Sequence, residues 1–258
     1  MKIVILGSGN VATLLGTSLS EAGYNIIQVW SRKLEHAKAL AKQLHTEFTN
    51  DIDQVIDSAD LYILSVADDA ISSVISKMKP INGVIVHTSG STSIEVFANR
   101  FLHYGVFYPF QTFSMGKDVD FKEIPVLIEG SEPESISTIK SIALSISDNV
   151  QECSSDQRKV LHIAAVFACN FTNYFYTISQ NLLKDHGLDF DLIRPLILET
   201  ALKVQEIMPS EAQTGPAARN DVNVINSHLQ QLENEPQLSA VYRLLSDQII
   251  ALFNKKNS

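Results

Sequence analysis

Cysteine is scarce in this chain: Cys153 and Cys169 are the two thiols in 258 residues. They cannot build a disulfide framework or, unaided, a zinc cluster, and no metal site is expected. An excess of positive charge is also lacking. Lys and Arg number 20 against 29 Asp and Glu, a net charge of −9 with histidine neutral. A nucleic-acid binder needs a cationic surface to displace counterions, so that class is excluded; a small anionic ligand in a local cationic pocket is not. Residues 163–183 carry no charge, yet seven of those 21 positions are Asn, Thr, Ser or Gln, too many for lipid to tolerate. The first strand-like run begins at Lys2. No leader peptide or membrane contact is expected, and the expected location is cytoplasmic.

What is present is enough apolar material for a core: 45% of residues are hydrophobic and 19% charged. Those proportions belong to a folded globular protein of one or two domains. Short β-rich runs at 2–6, 26–30, 61–66, 84–87, 105–108, 126–129 and about 149–152 alternate with helical patterns. The helical stretches fall at about 10–22, 33–44, 68–78, 93–101 and 133–146. Alternation of this kind predicts βαβ units and a mostly parallel, doubly wound sheet. Beyond residue 153 the strand signal vanishes. The expected class is α/β, with a dinucleotide-binding Rossmann domain over 1–153 and an all-α domain over 154–258. One long helix should run from about 155 to Lys184, a second from about 189 to Met208, and a last one over roughly 235–253. Residues 214–216, Thr-Gly-Pro, read as the start of another helix.

The run Gly7-Ser8-Gly9-Asn10-Val11-Ala12 follows the first strand and opens a helix. Gly7 permits the tight turn, Gly9 lets a pyrophosphate approach the backbone, and Ala12 lets the helix pack close. A site for NAD wants an acidic residue about 20 positions further on. Here residues 22–34 contain none, and the second strand ends in Trp30-Ser31-Arg32-Lys33. A hydroxyl and two cations suit a 2′-phosphate, so the expected cofactor is NADP(H).

Ligands of such sheets lie beyond the carboxyl ends of the strands. That places Ser65, Val66 and Ala67, then Ser89 and Gly90, then Tyr108, Pro109 and Gln111 around the nicotinamide end. Asp68 and Asp69 read better as helix caps, and His87 as pocket lining. On the long helix, Ser155, Lys159, His162, Asn170, Asn173, Thr177, Gln180 and Lys184 fall within an arc of about 80° at 100° per residue. This stripe is either a solvated face or, given its Asn, Thr and Gln, the lining of a cleft. His162 is the group best matched to move a proton near neutral pH. Asn170 would orient substrate and Lys159 would help as a cation.

The motifs at residues 7–12, 65–69, 108–114 (YPFQTFS), 162–170 (HIAAVFACN) and 214–221 (TGPAARND) together resemble one family. It is the Rossmann-like proteins with the C-terminal domain of unknown function 2520, commonly assigned as NADP-dependent oxidoreductases. The N-terminal half is also similar to pyrroline-5-carboxylate reductase and to the deazaflavin-dependent NADP oxidoreductases. The resemblance implies a two-domain fold and a nicotinamide cofactor, but no particular substrate. Two departures stand out. The family has His-Pro where this chain has Tyr108-Pro109. The β-hydroxyacid dehydrogenase relatives place Lys and Asn four apart on the long helix. Here Lys159 is followed by Ile163, and it is Arg158 and His162 that share that spacing.

The expected activity is hydride transfer between NADP(H) and a small C=O or C=N substrate held between the domains. A dinucleotide-binding sensor or scaffold without turnover is the alternative. Arg219, next to Gly215-Pro216, either holds a substrate anion or ties neighbouring segments together. The long apolar helix has too little of its own chain to cover it, so a homodimer through the helical domain is expected. The charge pattern at residues 31–33 also makes a direct prediction. NADPH should bind about tenfold or more tightly than NADH, and Arg32→Ala should remove most of that preference, as read by fluorescence titration of both cofactors.

Overall fold

The computed structural model of the protein describes residues 1–113 and 120–256. Ser114, the last residue of the 108–114 motif, lies outside the described residues. Eight strands form one sheet: β1 (Lys2–Leu6), β2 (Asn25–Trp30), β3 (Glu47–Thr49), β4 (Leu61–Leu64), β5 (Val84–His87), β6 (Tyr104–Pro109), β7 (Val126–Gly130) and β8 (Val150–Glu152). Their order is β3-β2-β1-β4-β5-β6-β7-β8, parallel except between β6 and β7. Seven of these strands match the expected runs. The three-residue β3 was not anticipated, being too short to show a period.

Strand β1 shows why the sheet needs two apolar layers. Ile3 and Ile5 join one core cluster while Val4 and Leu6 join the other, so alternate side chains reach opposite faces. On the first face, α1 (Asn10–Glu21), α2 (Leu34–Leu44) and α4 (Pro133–Ile146) contribute Leu15, Leu40 and Ile139. On the second, α3 (Asp68–Lys77) and the 3₁₀ turn Ile94–Phe97 contribute Ile71 and Phe97. The segment expected as a helix over 93–101 is only that short turn.

The chain divides into two compact units, Met1–Phe175 and Tyr176–Ser258. The first includes α5 (Ser155–Ala165), which starts with a full capping box between Ser154 and Gln157. A fully buried arginine fastens α5 to the sheet. Arg158 donates from Nη1 to Glu129 Oε2 at 2.7 Å, from Nη2 to the Thr92 carbonyl at 2.6 Å, and from Nε to the Ser89 carbonyl at 3.2 Å. Ser155 completes the knot, its N–H and hydroxyl both donating to the Glu129 carboxylate at 3.0 and 2.8 Å.

The long helix is not uniform. Val166–Phe171 forms a π-helical segment before α6 (Thr172–Asp185) begins. Its i→i+5 turns hold more residues than an α-turn, so the single polar stripe expected from Ser155 to Lys184 is broken there. The helix is also not buried on most sides by its own chain, since Val160, Ile163, Phe167 and Tyr174 are all exposed.

The second unit adds α7 (Arg194–Glu206), α8 (Pro209–Ala212), α9 (Val222–Gln231) and α10 (Pro236–Lys256). Pro195 sits in the first turn of α7 and delays its start, because proline has no N–H to lose there. Residues 214–221 do not open a helix. They form a run of turns, and α9 starts only at Val222, with Asp221 accepting from the Val224 N–H. Ala217, Ile225 and Leu229 make a small core with Tyr242 and Ile249.

Removing one side of a buried ion pair strands the other charge. Arg158→Ala should therefore cost about 3–5 kcal/mol in urea unfolding, and Arg158→Leu with Glu129→Leu distinctly less. Equal losses in the single and double variants would show that packing, and not charge, holds α5.

Candidate active site

The turn between β1 and α1 is built around one glycine. Gly7 has φ of +135°, and a Cβ there would meet the Ser65 carbonyl oxygen at 1.9 Å. No side chain other than hydrogen fits. Gly9 is the N-cap of α1; it makes no side-chain cap, and the first helical turn contains no acidic residue. A Cβ on Gly9 would meet nothing within 4 Å. The backbone N–H groups at this helix start are thus left for an anionic ligand, with open space in front of them. Ala12 is buried against the sheet. Further along α1, Gly16 also needs its small size, since a Cβ would lie 2.7 Å from Ile5 Cδ1. No local sequence pattern marks it, because the contact is with a strand and not with its chain neighbours.

This turn borders a cleft of about 940 Å³. Gly7, Ser8, Gly9, Asn10 and Val11 line its centre, Ser31, Arg32 and Lys33 one end, and Val66, Ala67 and Gln111 the other part of the wall. Ser8 and Ser31 share a hydroxyl hydrogen bond of 2.8 Å, and Asn10 donates to the Phe113 carbonyl at 3.1 Å. Arg32 and Lys33 are exposed and, among the described residues, make no ion pair. Their charge is available to a 2′-phosphate. His36, one turn along α2, lines the same end and was not anticipated. These residues fit a dinucleotide bearing an extra phosphate.

The other loops behave less uniformly. From the β5 loop it is Thr88 that lines the cleft. Ser89 is buried, and its hydroxyl donates to Thr92 Oγ1 and accepts the N–H groups of Ser91 and Thr92. Gly90 is buried beside another pair. A Cβ on Gly90 would lie 2.7 Å from both His162 Nδ1 and the Tyr108 hydroxyl. Those two atoms are 3.3 Å apart, a hydrogen bond between the end of β6 and α5. Gly90 thus brings the loop backbone close to Tyr108 and His162, while neither it nor Ser89, both expected around the nicotinamide end, lines the cleft.

Burial raises the Tyr108 phenol above its usual value, Asp68 raises it further, and Arg158 partly opposes them. The hydroxyl stays protonated at neutral pH. Pro109 is buried and paired opposite Val126, a strand residue. Asp68 and Asp69 are not caps. Ala67 is the N-cap of α3, and the Asp68 carboxylate accepts from the Ser91 hydroxyl. Lys159 is exposed and spends its ammonium on Asp156 at 3.2 Å, while Asn170 lies exposed in the π segment. Arg219 is exposed in the turns of the second unit, with no helix start beneath it. The buried cation of the site is Arg158, whose four-residue spacing from His162 was its one signal in the sequence.

A glycine turn against a parallel sheet, an uncapped helix start and a cleft along the carboxyl strand ends define a Rossmann-type dinucleotide-binding protein. Residues 2–88 match the family described as NADP oxidoreductase, coenzyme F420-dependent, and residues 124–249 match the domain of unknown function 2520. A Bacteroides fragilis protein described as a candidate NADP oxidoreductase is 45% identical, with a TM-score of 0.89 over 97% of this chain and 98% of its own. The 1-pyrroline-5-carboxylate reductase of Streptococcus pyogenes shares the fold at 17% identity and TM-score 0.61, covering 98% of each chain. An imine reductase from Myxococcus stipitatus, in complex with NADP⁺, does so at 14% and 0.66, over 99% of this chain and 93% of its own. No functionally curated protein matches the chain. The chain belongs to the NADP oxidoreductase family that joins this Rossmann domain to the domain of unknown function 2520. That membership makes it an oxidoreductase with NADP(H) as cofactor.

His87, at the end of β5, is fully buried and stacks on Phe97. Burial first, then the Arg158 charge, lower its pKa from 6.5 to about 4, against smaller raising effects of the Ser93 backbone and Asp68. Between those two values the unfolded chain binds more protons than the folded one, so stability falls as pH falls through that window. The loss should reach at most about 3 kcal/mol. Urea unfolding from pH 7.5 to 4 should show this slope in the wild type and a shallower one in His87→Gln. An unchanged slope would assign the effect elsewhere.

Proposed function

We propose that this protein transfers a hydride between NADP(H) and a small C=O or C=N compound held against Tyr108 and His162. The observation that carries the reading is the Tyr108–His162 hydrogen bond, closed over Gly90, beside a cleft suited to the cofactor. The bound cofactor would supply the hydride. The chain's own residues would do the rest. The uncapped start of α1 receives the pyrophosphate, and Arg32, Lys33 and Ser31 receive the 2′-phosphate. The Tyr108 hydroxyl and His162 Nδ1 would orient the substrate and, for a carbonyl, share the proton that the reduced oxygen needs, with His162 connecting the phenol to the helix.

The domain assignment follows the same reading: residues 1–153 bind the dinucleotide, and residues 154–258 serve substrate binding and dimerisation. We place the protein in the cytoplasm, a reading consistent with two unpaired cysteines. Among the described residues, no helix is long and apolar enough to cross a membrane. A homodimer through the helical region is supported by the apolar surface that the π segment and α7 expose, including Phe167, Leu196 and Leu198.

NADPH oxidation across a panel of carbonyls and imines tests the chemistry. Tyr108→Phe and His162→Ala should lower kcat by on the order of tenfold or more while leaving NADPH affinity nearly intact. Stoichiometric NADPH binding with no turnover on any panel member would favour a sensor instead. Sedimentation at micromolar concentration should give a dimer, and Phe167→Glu should shift it toward 28.5 kDa monomers.

A further inference from the structure

The reacting end of the cleft has a charge of its own, and that charge bears on the substrate. Asp68 follows β4 and lines the cleft, with Asp69 beside it. Its carboxylate is held by the hydroxyl of Ser91, the residue next to Gly90, over which Tyr108 and His162 meet. β4, β5 and β6 are adjacent strands, so Asp68, Ser91 and Tyr108 leave neighbouring strand ends.

Among the described residues, no ion pair answers Asp68. Arg158 is fully buried and bonded to Glu129, and Lys159 faces Asp156. Arg32, Lys33 and His36 lie beyond β2, two strand spacings from β4, the strand that Asp68 follows. At about 4.8 Å per strand that is roughly 10 Å, still beyond the Debye length of about 8 Å at physiological salt. The phosphate end is cationic and the reacting end anionic.

We propose that Asp68 makes the reacting end a site for a cation, so that the substrate class is a protonated imine and not a carbonyl compound bearing a carboxylate. This deepens the reductase reading above and rests on it. An iminium carbon accepts the hydride of NADPH, the C=N π pair moves to nitrogen, and NADPH is oxidised to NADP⁺. The neutral amine so formed takes a proton from water and leaves as an ammonium ion. No proton has to leave Tyr108. A carbonyl would have to take one as its carbon accepts the hydride, leaving a tyrosinate near a carboxylate, and two like charges at close range oppose each other. The rise that Asp68 imposes on the Tyr108 phenol, after the larger effect of burial, expresses the same repulsion. Under this assignment Asp68 is a specificity-determining residue, and Tyr108 and His162 orient the C=N group.

The test compares 1-pyrroline, cyclohexanone and 2-oxobutanoate as substrates, and piperidine and propionate as ligands of the protein–NADP⁺ complex by calorimetry. Wild type should favour 1-pyrroline in kcat/KM and bind piperidine but not propionate. In Asp68→Asn, the 1-pyrroline to cyclohexanone ratio should fall on the order of tenfold, and piperidine should weaken about as much. Melting curves confirm that the variant is folded. Absence of piperidine binding to the wild type overturns the proposal, as does an equal loss of NADPH affinity in Asp68→Asn, which would assign the carboxylate to the cofactor. Piperidine binding that depends on Asp68, with no turnover of any substrate, sustains the charge selection and defeats the reductase reading. Preferred turnover of 2-oxobutanoate does the reverse.

Discussion

A guanidinium with no water around it must find protein acceptors for its donors, and in this fold Arg158 finds them on three separate elements. Glu129 is on β7, the Ser89 and Thr92 carbonyls belong to the loop after β5, and Ser155 starts α5. None of these could shift alone without leaving a buried polar group unpaired, a loss of about 1–3 kcal/mol or more each. The arginine therefore sets where α5 begins and how it leaves the sheet. His162 lies one turn further on, and its distance to Tyr108 follows from that anchorage. The π segment Val166–Phe171 starts four residues after His162, so the helix is regular where the anchorage matters and irregular just beyond it.

Gly90 is where backbone and chemistry meet. Its missing side chain lets the loop that Arg158 holds pass directly under the Tyr108 hydroxyl and His162 Nδ1. The loop is stiffened from within by the Ser89 hydroxyl, which accepts two of its N–H groups. A polar buried loop with nearly all its groups satisfied is a rigid platform. The cleft that continues from it to Arg32 and Lys33 separates its charges by the spacing of the strands, so an acidic protein still offers a cationic end to a phosphate.

Much of this was legible in the residue order. Strand runs of Val, Ile and Leu, with helices between them, report burial on both faces, and that pattern depends only on neighbours along the chain. The glycine turn at Gly7 and the Ser31-Arg32-Lys33 end of β2 were legible for the same reason: turn geometry and local charge are properties of short segments. Gly16 and the strand β3 escaped because one is a packing contact and the other is too short to show a period.

The sequence by itself thus determined the class of fold, the cofactor, and the glycine turn and paired cations that border one cleft. Only the tertiary structure decided which polar side chains meet over Gly90. Lys159 and Arg158 are adjacent in the chain, yet one faces solvent and the other is the buried anchor, a difference set by 100° of helix rotation and by where Glu129 stands. Asn170 left the line of His162 because a π turn holds more residues than an α turn, which no count at a fixed angle anticipates. Tyr108 and His162 are 54 positions apart. Contact between them exists because β6 and α5 converge over Gly90, and convergence of distant segments is a property of packing that local pattern does not encode.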